Sequence, residues 1–242
     1  MRPVLLGVLL LVPSLAAQDS KPEPRLRFGL AVAAGNFDID LGLADDDTDA
    51  GFLRLQFESI GESQMGGGLR VESFVSDDDL FGTGPTGAEV SNGAAFGHFT
   101  YAFGSDRFEM PLRIGVLLNG LTIELNSGGE NEARSIGPYV EIAPELTLIH
   151  VGPTRWTIYG ELGAGYTFTQ IEIDGVSEEF DSNTTFIGVE VGTRLRLGMF
   201  EAGLGFLSRF QDTDESDPEG GITVSAFEST FTGVLVSAAL RF

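Results

Sequence analysis

Through most of this chain oily and polar side chains alternate with period two, and that rhythm confines it to β-strands. The pattern is cleanest in residues 230–242 (TFTGVLVSAALRF). Thr232, Val234, Val236, Ala238, Leu240 and Phe242 fall on one side, and Phe231, Gly233, Leu235, Ser237, Ala239 and Arg241 on the other. Nine earlier segments repeat it. Leu26, Phe28, Leu30 and Val32 oppose Arg27, Gly29, Ala31 and Ala33, and beyond Gly35 the parity flips to Phe37, Ile39, Leu41 and Leu43, so a bulge is expected there. Segments two to four carry Leu53, Leu55 and Phe57, then Leu69 and Val71 with a less clean end at Phe74, then Phe99, Tyr101 and Phe103. The fifth runs Phe108 to Leu118 and the sixth Ile136 to Leu148, the latter containing Pro138 and Pro144, which bulges would have to absorb. Segments seven to nine start near Trp156, Ile187 and Phe200. The expected fold is all-β, a closed antiparallel barrel of about ten strands, with eight as the alternative.

Composition narrows the setting. Residues 1–17 contain Arg2, an apolar run from Val4 to Val12 and small residues at Ser14, Ala16 and Ala17, the form of a secretory signal. Residues 18–24 read as a short polar leader and 25–242 as the barrel. No later apolar run reaches the roughly 20 residues of a membrane-spanning helix, so any membrane span must be made of strands. Cysteine is absent, which excludes disulfides and thiolate metal sites. A net charge of −22 argues against a nucleic-acid partner.

The ionisable residues sort onto one face. Arg27, Arg54, Arg70, Arg113, Arg194, Arg196, Arg209 and Arg241 all fall opposite the oily side, as do Glu58, Glu72, Glu109, Glu141, Glu145, Glu161, Glu190 and Glu201. A charge on a lipid-facing wall costs about 2–4 kcal/mol at the bilayer midplane, so an inside-out barrel with these residues in its bore is the economical arrangement. Two readings of the bore stay open: a salt-bridge network that plugs it, or an ion-lined pore. Inward glycines at 163, 165, 203 and 205 leave room for long side chains or for a narrow water path. Aromatics at Phe103, Phe108, Trp156, Phe200 and Phe242 gather at one end of the outward faces, as at a membrane–water interface.

A closing strand that ends on Phe242 after alternating apolar positions resembles the terminal strand and assembly signal of bacterial outer-membrane β-barrels. The resemblance implies an outer-membrane location, lipid and the barrel-assembly machinery as partners, a monomer, short turns in the periplasm and long loops outside. No cofactor is implied. The expected loops are acidic: Asp45, Asp46, Asp47 and Asp49; Asp77, Asp78, Asp79 and Glu89; Glu130 and Glu132; Asp174, Glu178, Glu179 and Asp181; Asp212, Asp214, Glu215, Asp217 and Glu219, with Arg134 as their countercharge. Hard cations prefer oxygen ligands, so divalent ions at these loops are conceivable. Asp212, Asp214 and Ser216 imitate the start of a calcium loop, but its glycine and terminal glutamate are missing.

Enzyme signals are weak. Ten-stranded outer-membrane proteases resemble the chain in strand number, yet they carry acidic pairs and a His–Asp pair at the outer rim. The histidines here are His98, on an inward face, and His150, in an expected turn. Asn183-Thr184-Thr185 is a sequon by pattern alone, and the GxG fragments follow strand alternation without opening a helix. Two function classes remain, a non-enzymatic structural or surface-interaction barrel and a narrow cation-preferring channel for small solutes, with an outer-membrane lipid- or peptide-modifying enzyme as a distant third.

Overall fold

The computed structural model describes residues 23–41, 45–76, 80, 87–105, 107–219 and 223–242. The signal and most of the leader fall outside the described residues, as do Leu43 and Asp77–Asp79. Eleven strands follow one another: β1 (Arg25–Asp40), β2 (Asp45–Ile60), β3 (Met65–Ser76), β4 (Ala88–Gly104), β5 (Phe108–Leu125), β6 (Glu130–Ile142), β7 (Glu145–Val151), β8 (Thr154–Glu172), β9 (Glu179–Leu197), β10 (Phe200–Thr213) and β11 (Phe227–Arg241). All pair antiparallel in one sheet that closes through β4–β5. The C-terminus completes the ring beside the first strand: Phe242 N donates to the Leu26 carbonyl at 2.9 Å, and Leu26 N donates back at 3.0 Å.

Ten staves form the barrel, and the sixth is broken. A single strand from 136 to 148 was expected, but Pro144, which has no N–H for the ladder, ends it. β6 stops at Ile142, and the short β7 continues its place between β5 and β8. Pro138 stays within β6 opposite Val116, while the β6–β8 ladder lapses between Ile136 and Tyr139.

Tight turns close one end, with Gly152 and Gly198 at φ of 57° and 63°, the left-handed values that two-residue hairpin turns need. Longer connections lie at the other, here the loop end. The wall between them is apolar on its outside: Leu30, Leu55, Leu69, Ile114, Val140, Leu162, Val191, Leu204 and Val236 are all exposed. So large a continuous exposed belt has no place in water and fits hydrocarbon. An arginine at its middle, Val191→Arg, is expected to lower folding stability in lipid vesicles by about 2–4 kcal/mol. Gln170→Arg, in the outward row nearer the loop end, should change it little; equal losses in reversible urea unfolding would contradict this placement.

The bulge expected at Gly35 does not exist. β1 stays in unbroken register with β2 from Arg25↔Ile60 to Asp40↔Asp45, and with β11 from Arg27↔Arg241 to Asp40↔Glu228. Phe37 and Ile39 therefore point inward, where both are fully buried. The same reversal occurs around the barrel. Leu118 sits on the outside between Ala95 and Ile136, but two residues further on Gly120 lies between Gly93 and Arg134. Near the turn end the wall is oily outside and charged inside; near the loop end it is acidic outside and oily inside. A change of outer solvent from hydrocarbon to water along the wall would give the outer face this reversal.

The acids expected in loops consequently lie partly on strands. Asp45, Asp46, Asp47 and Asp49 belong to β2, Glu89 to β4, Glu130 and Glu132 to β6, Glu179 and Asp181 to β9, and Asp212 to β10. Phe108, expected at the interface, is buried, whereas Trp156, Phe200 and Phe242 are exposed near the turn end.

Candidate functional site

The interior is the part of the molecule with chemistry, and it is layered. Alternation places one residue in two of every stave inside, and the ring closure brings these side chains together across the bore. In the turn-end half they are arginines and glutamates. Glu72 is a hub: Arg54 Nε donates to it at 2.8 Å, Arg209 Nη2 at 2.9 Å and Nε at 3.0 Å, and Arg70 Nε lies at 3.2 Å. Arg54 continues to Glu190 at 2.6 Å, and Arg70 to Glu141 at 2.7 Å and Glu161 at 3.6 Å. Arg113 joins Glu141 to Glu58, the latter at 2.8 Å, and Arg25 joins Glu58 to Glu109. On the far side Arg194 holds Glu145 at 2.6 Å, Glu161 at 3.1 Å and Glu201 at 3.8 Å, and Glu201 accepts from Arg27 at 2.7 Å. These contacts link all of the named residues into one network.

Fourteen of the sixteen expected lumen residues lie in it. Arg196 and Arg241 do not. Arg196 pairs instead with Glu23, 3.5 Å away, which also takes Arg155 at 2.7 Å. Burial alone would push the Glu23 carboxyl up, but Arg155, Arg196 and Arg241 more than offset this and hold it below the usual carboxylate range. No ion pair joins Arg241 to a described carboxylate. Arg25 was missed because the oily rhythm starts one residue after it. The tyrosines were missed too, since a neutral residue on the charged face carries no signal. Tyr139 accepts from Arg70 at 2.8 Å and donates to Glu141, and Tyr159 donates to Glu190 at 2.8 Å. Arg70 also lies 4.2 Å over the Phe96 ring, and Arg194 3.5 Å over the Tyr159 ring.

Gly163 and Gly205 make room for those tyrosines, whereas a Cβ on Gly203 would lie 2.5 Å from the Ser237 hydroxyl oxygen. A Cβ on Gly163 would lie 2.1 Å from the Tyr139 hydroxyl oxygen, and one on Gly205 would lie 2.8 Å from that of Tyr159. Beside Gly163 and Gly205 the room expected for long side chains or a water path is filled by phenol. Spaces of about 20 Å³ beside Glu23 and Arg241, and about 10 Å³ beside Arg27 and Glu190, are found at this level. Each is enough for about one water.

Next comes a neutral polar layer. Ser135, Thr169, Thr184 and Thr213 form a hydroxyl chain with links of 2.8, 2.6 and 2.9 Å across four strands. Asn92 donates to Asn119 at 3.0 Å and Asn119 to Gln211 at 3.1 Å. Toward the loop end the bore then turns apolar. Phe231 stacks on Phe52 at 5.6 Å and on Phe74 at 6.0 Å between ring centroids, Phe37 lies 4.8 Å from Phe74, and Leu80, Val90, Leu121, Ile171, Phe180 and Leu207 pack with them. Past this plug a cavity of about 220 Å³ remains, lined by Leu41, Leu121, Ile123, Ala133, Ile171, Ile173, Val224 and Phe227, with Asn131, Glu132 and Ser225 at its polar part.

Around that end the outer wall sets acid directly opposite acid: Asp38 faces Asp47, Glu124 faces Glu130, Glu132 faces Glu172, Glu172 faces Glu179 and Asp212 faces Glu228. Like charges so placed repel, and burial together with Asp47 pushes the Asp38 carboxyl up. Arg134 touches Glu132 and lies 3.6 Å from Glu172. Asp212 sits on β10 opposite Glu228, while Asp214 N donates to the Asn183 carbonyl. Among the described residues no three histidine, aspartate or glutamate side chains converge as a metal site would require. His98 is buried in the bore 3.9 Å from Glu58, and His150 accepts from Arg155 near the turn end. Neither lies at the outer rim.

Solved structures with this fold are bacterial outer-membrane β-barrels. The outer membrane protease OmpT from Escherichia coli matches with a TM-score of 0.58 at 10% identity, over 94% of this chain and 100% of that one. The translocator domain of the autotransporter NalP from Neisseria meningitidis matches with a TM-score of 0.44 at 9% identity, over 98% and 95%. The β-domain of the Bordetella autotransporter BrkA gives 0.42 at 10%, over 91% and 99%. At 10% identity the likeness to OmpT is one of fold. No protein-family model and no curated protein matches the chain.

Proposed function

We propose that the protein is a monomeric bacterial outer-membrane barrel without enzymatic activity that passes nothing along its axis and works through its loop end, which faces outward. The turn end lies in the periplasm, and the strand ending in Phe242 is what the assembly machinery engages. One observation carries the reading: the bore is filled by three successive layers, ionic, neutral polar and apolar, joined by ion pairs, hydrogen bonds and ring contacts across the lumen. An ion following the axis would have to break salt bridges and then cross a stack of phenylalanines, and charge in an apolar medium is strongly disfavoured. A buried network also fixes the barrel's cross-section, which suits a rigid platform for surface interactions.

Planar-bilayer recording of the purified full-length mature protein tests this. The expected result is a silent membrane at moderate voltage after insertion is verified by protease protection. Stable unitary current steps would overturn the reading and make the protein a narrow channel.

A further inference from the structure

The cavity beyond the apolar plug is open to assignment, because nothing in the plugged-barrel reading needs it. We infer that the loop-end cavity binds a small amphiphilic cation, an aromatic or alkyl ammonium whose apolar body enters the bore and whose charged head stays at the acidic mouth. The lining explains the body. Ile123, Ile171, Ile173 and Phe227 present hydrocarbon, and Leu121, a member of the buried apolar plug, lines the cavity with them. An apolar cavity of about 150 Å³ suffices to take up benzene, so 220 Å³ accommodates one ring with a short arm. Leu121, Ile123, Ala133, Ile171 and Phe227 stand on barrel strands, so a ligand would not have to fix that part of the wall on binding.

Charge complementarity selects the head. The strand ends around the mouth carry acids opposite acids, and Arg134 among them is already engaged by Glu132. Glu132 lines the cavity and the other paired acids stand on the outer wall around it, so a monocation at the mouth meets Glu132 directly and the rest through their field. The acids on the surrounding outer wall give the low-dielectric recess a negative field, which concentrates the opposite sign. An anionic amphiphile meets the reverse conditions, and a neutral one gains from the cavity alone.

The test uses the full mature protein in lipid nanodiscs with isoleucine methyl groups labelled, titrated with 2-phenylethylammonium and, separately, with neutral 2-phenylethanol. Saturable shifts are expected at Ile123, Ile171 and Ile173, with the lipid-facing Ile114 and Ile187 unmoved by the specific phase. At low salt the ammonium should bind several-fold tighter than the alcohol, and 0.5 M salt should erase most of that difference, because screening acts on the charged head alone. Ile123→Trp should fill the cavity and abolish the shifts at Ile171 and Ile173 while the barrel keeps its heat-modifiable gel mobility. If that variant does not fold, the salt dependence in the unsubstituted protein decides. Shifts confined to Ile114 and Ile187, or equal affinities for ammonium and alcohol at low salt, would overturn the assignment. The inference rests on the sealed-bore reading for its closed floor: current steps would refute that reading, whereas a silent barrel without cavity shifts would refute this inference alone.

Discussion

Glu72→Gln is expected to be the most damaging conservative change in the bore, lowering the free energy of unfolding by about 3–5 kcal/mol. The substitution keeps the shape and removes one charge, yet it leaves three guanidinium groups, those of Arg54, Arg70 and Arg209, facing a neutral amide. Arg54 keeps Glu190, and Arg70 keeps Glu141 and Glu161, but Arg209 has Glu72 as its ion-pair partner among the described residues. Glu109→Gln makes the comparison. It faces Arg25, which retains Glu58, so its loss should be nearer the roughly 1.5–3 kcal/mol of a single charged hydrogen bond. Urea unfolding in lipid vesicles reads both, and Glu72→Gln/Arg209→Met should recover part of the first loss by removing the stranded cation. If Glu72→Gln costs no more than Glu109→Gln, the network is not organised around Glu72.

Phe231→Ala is the second large effect, expected at about 3–5 kcal/mol. Its ring is fully buried between Phe52 and Phe74, and the walls that hold it are hydrogen-bonded staves that cannot collapse into the gap. The variant should nevertheless remain silent in a planar bilayer, because the ionic and hydroxyl layers beneath it are untouched. Current through Phe231→Ala would mean that the apolar plug alone seals the bore. A loss below about 0.5 kcal/mol, the usual range for surface changes, would mean that the loop-end interior is not packed as a core.

Much of this was legible in the residues, for a local reason. Period two is a property of single strands, so the staves, their short turns and the sorting of arginine and glutamate onto one face could be read segment by segment. Where reading failed, two local signals had more than one explanation. The parity change after Gly35 is what a bulge produces, and equally what a straight strand produces when its outer solvent changes. Phe74, an untidy end by alternation, and Phe231, on the mixed face, were the same signal. Pro144 was visible as an obstacle, but whether the ladder would bulge or break depended on its neighbours in β5 and β8.

The sequence alone determined that this chain makes a barrel with oil outside and ions inside across its middle, because alternating side chains can satisfy hydrocarbon on one face and a closed interior on the other in no simpler way. Tertiary structure decided which charges meet, since partners such as Arg27 and Glu201 stand 174 residues apart and are joined only by the stagger of the closed sheet. It also decided that the bore turns apolar toward the loop end. Alternation says that two faces differ; the closed ring, and the height at which the surrounding solvent changes, say which of them is buried.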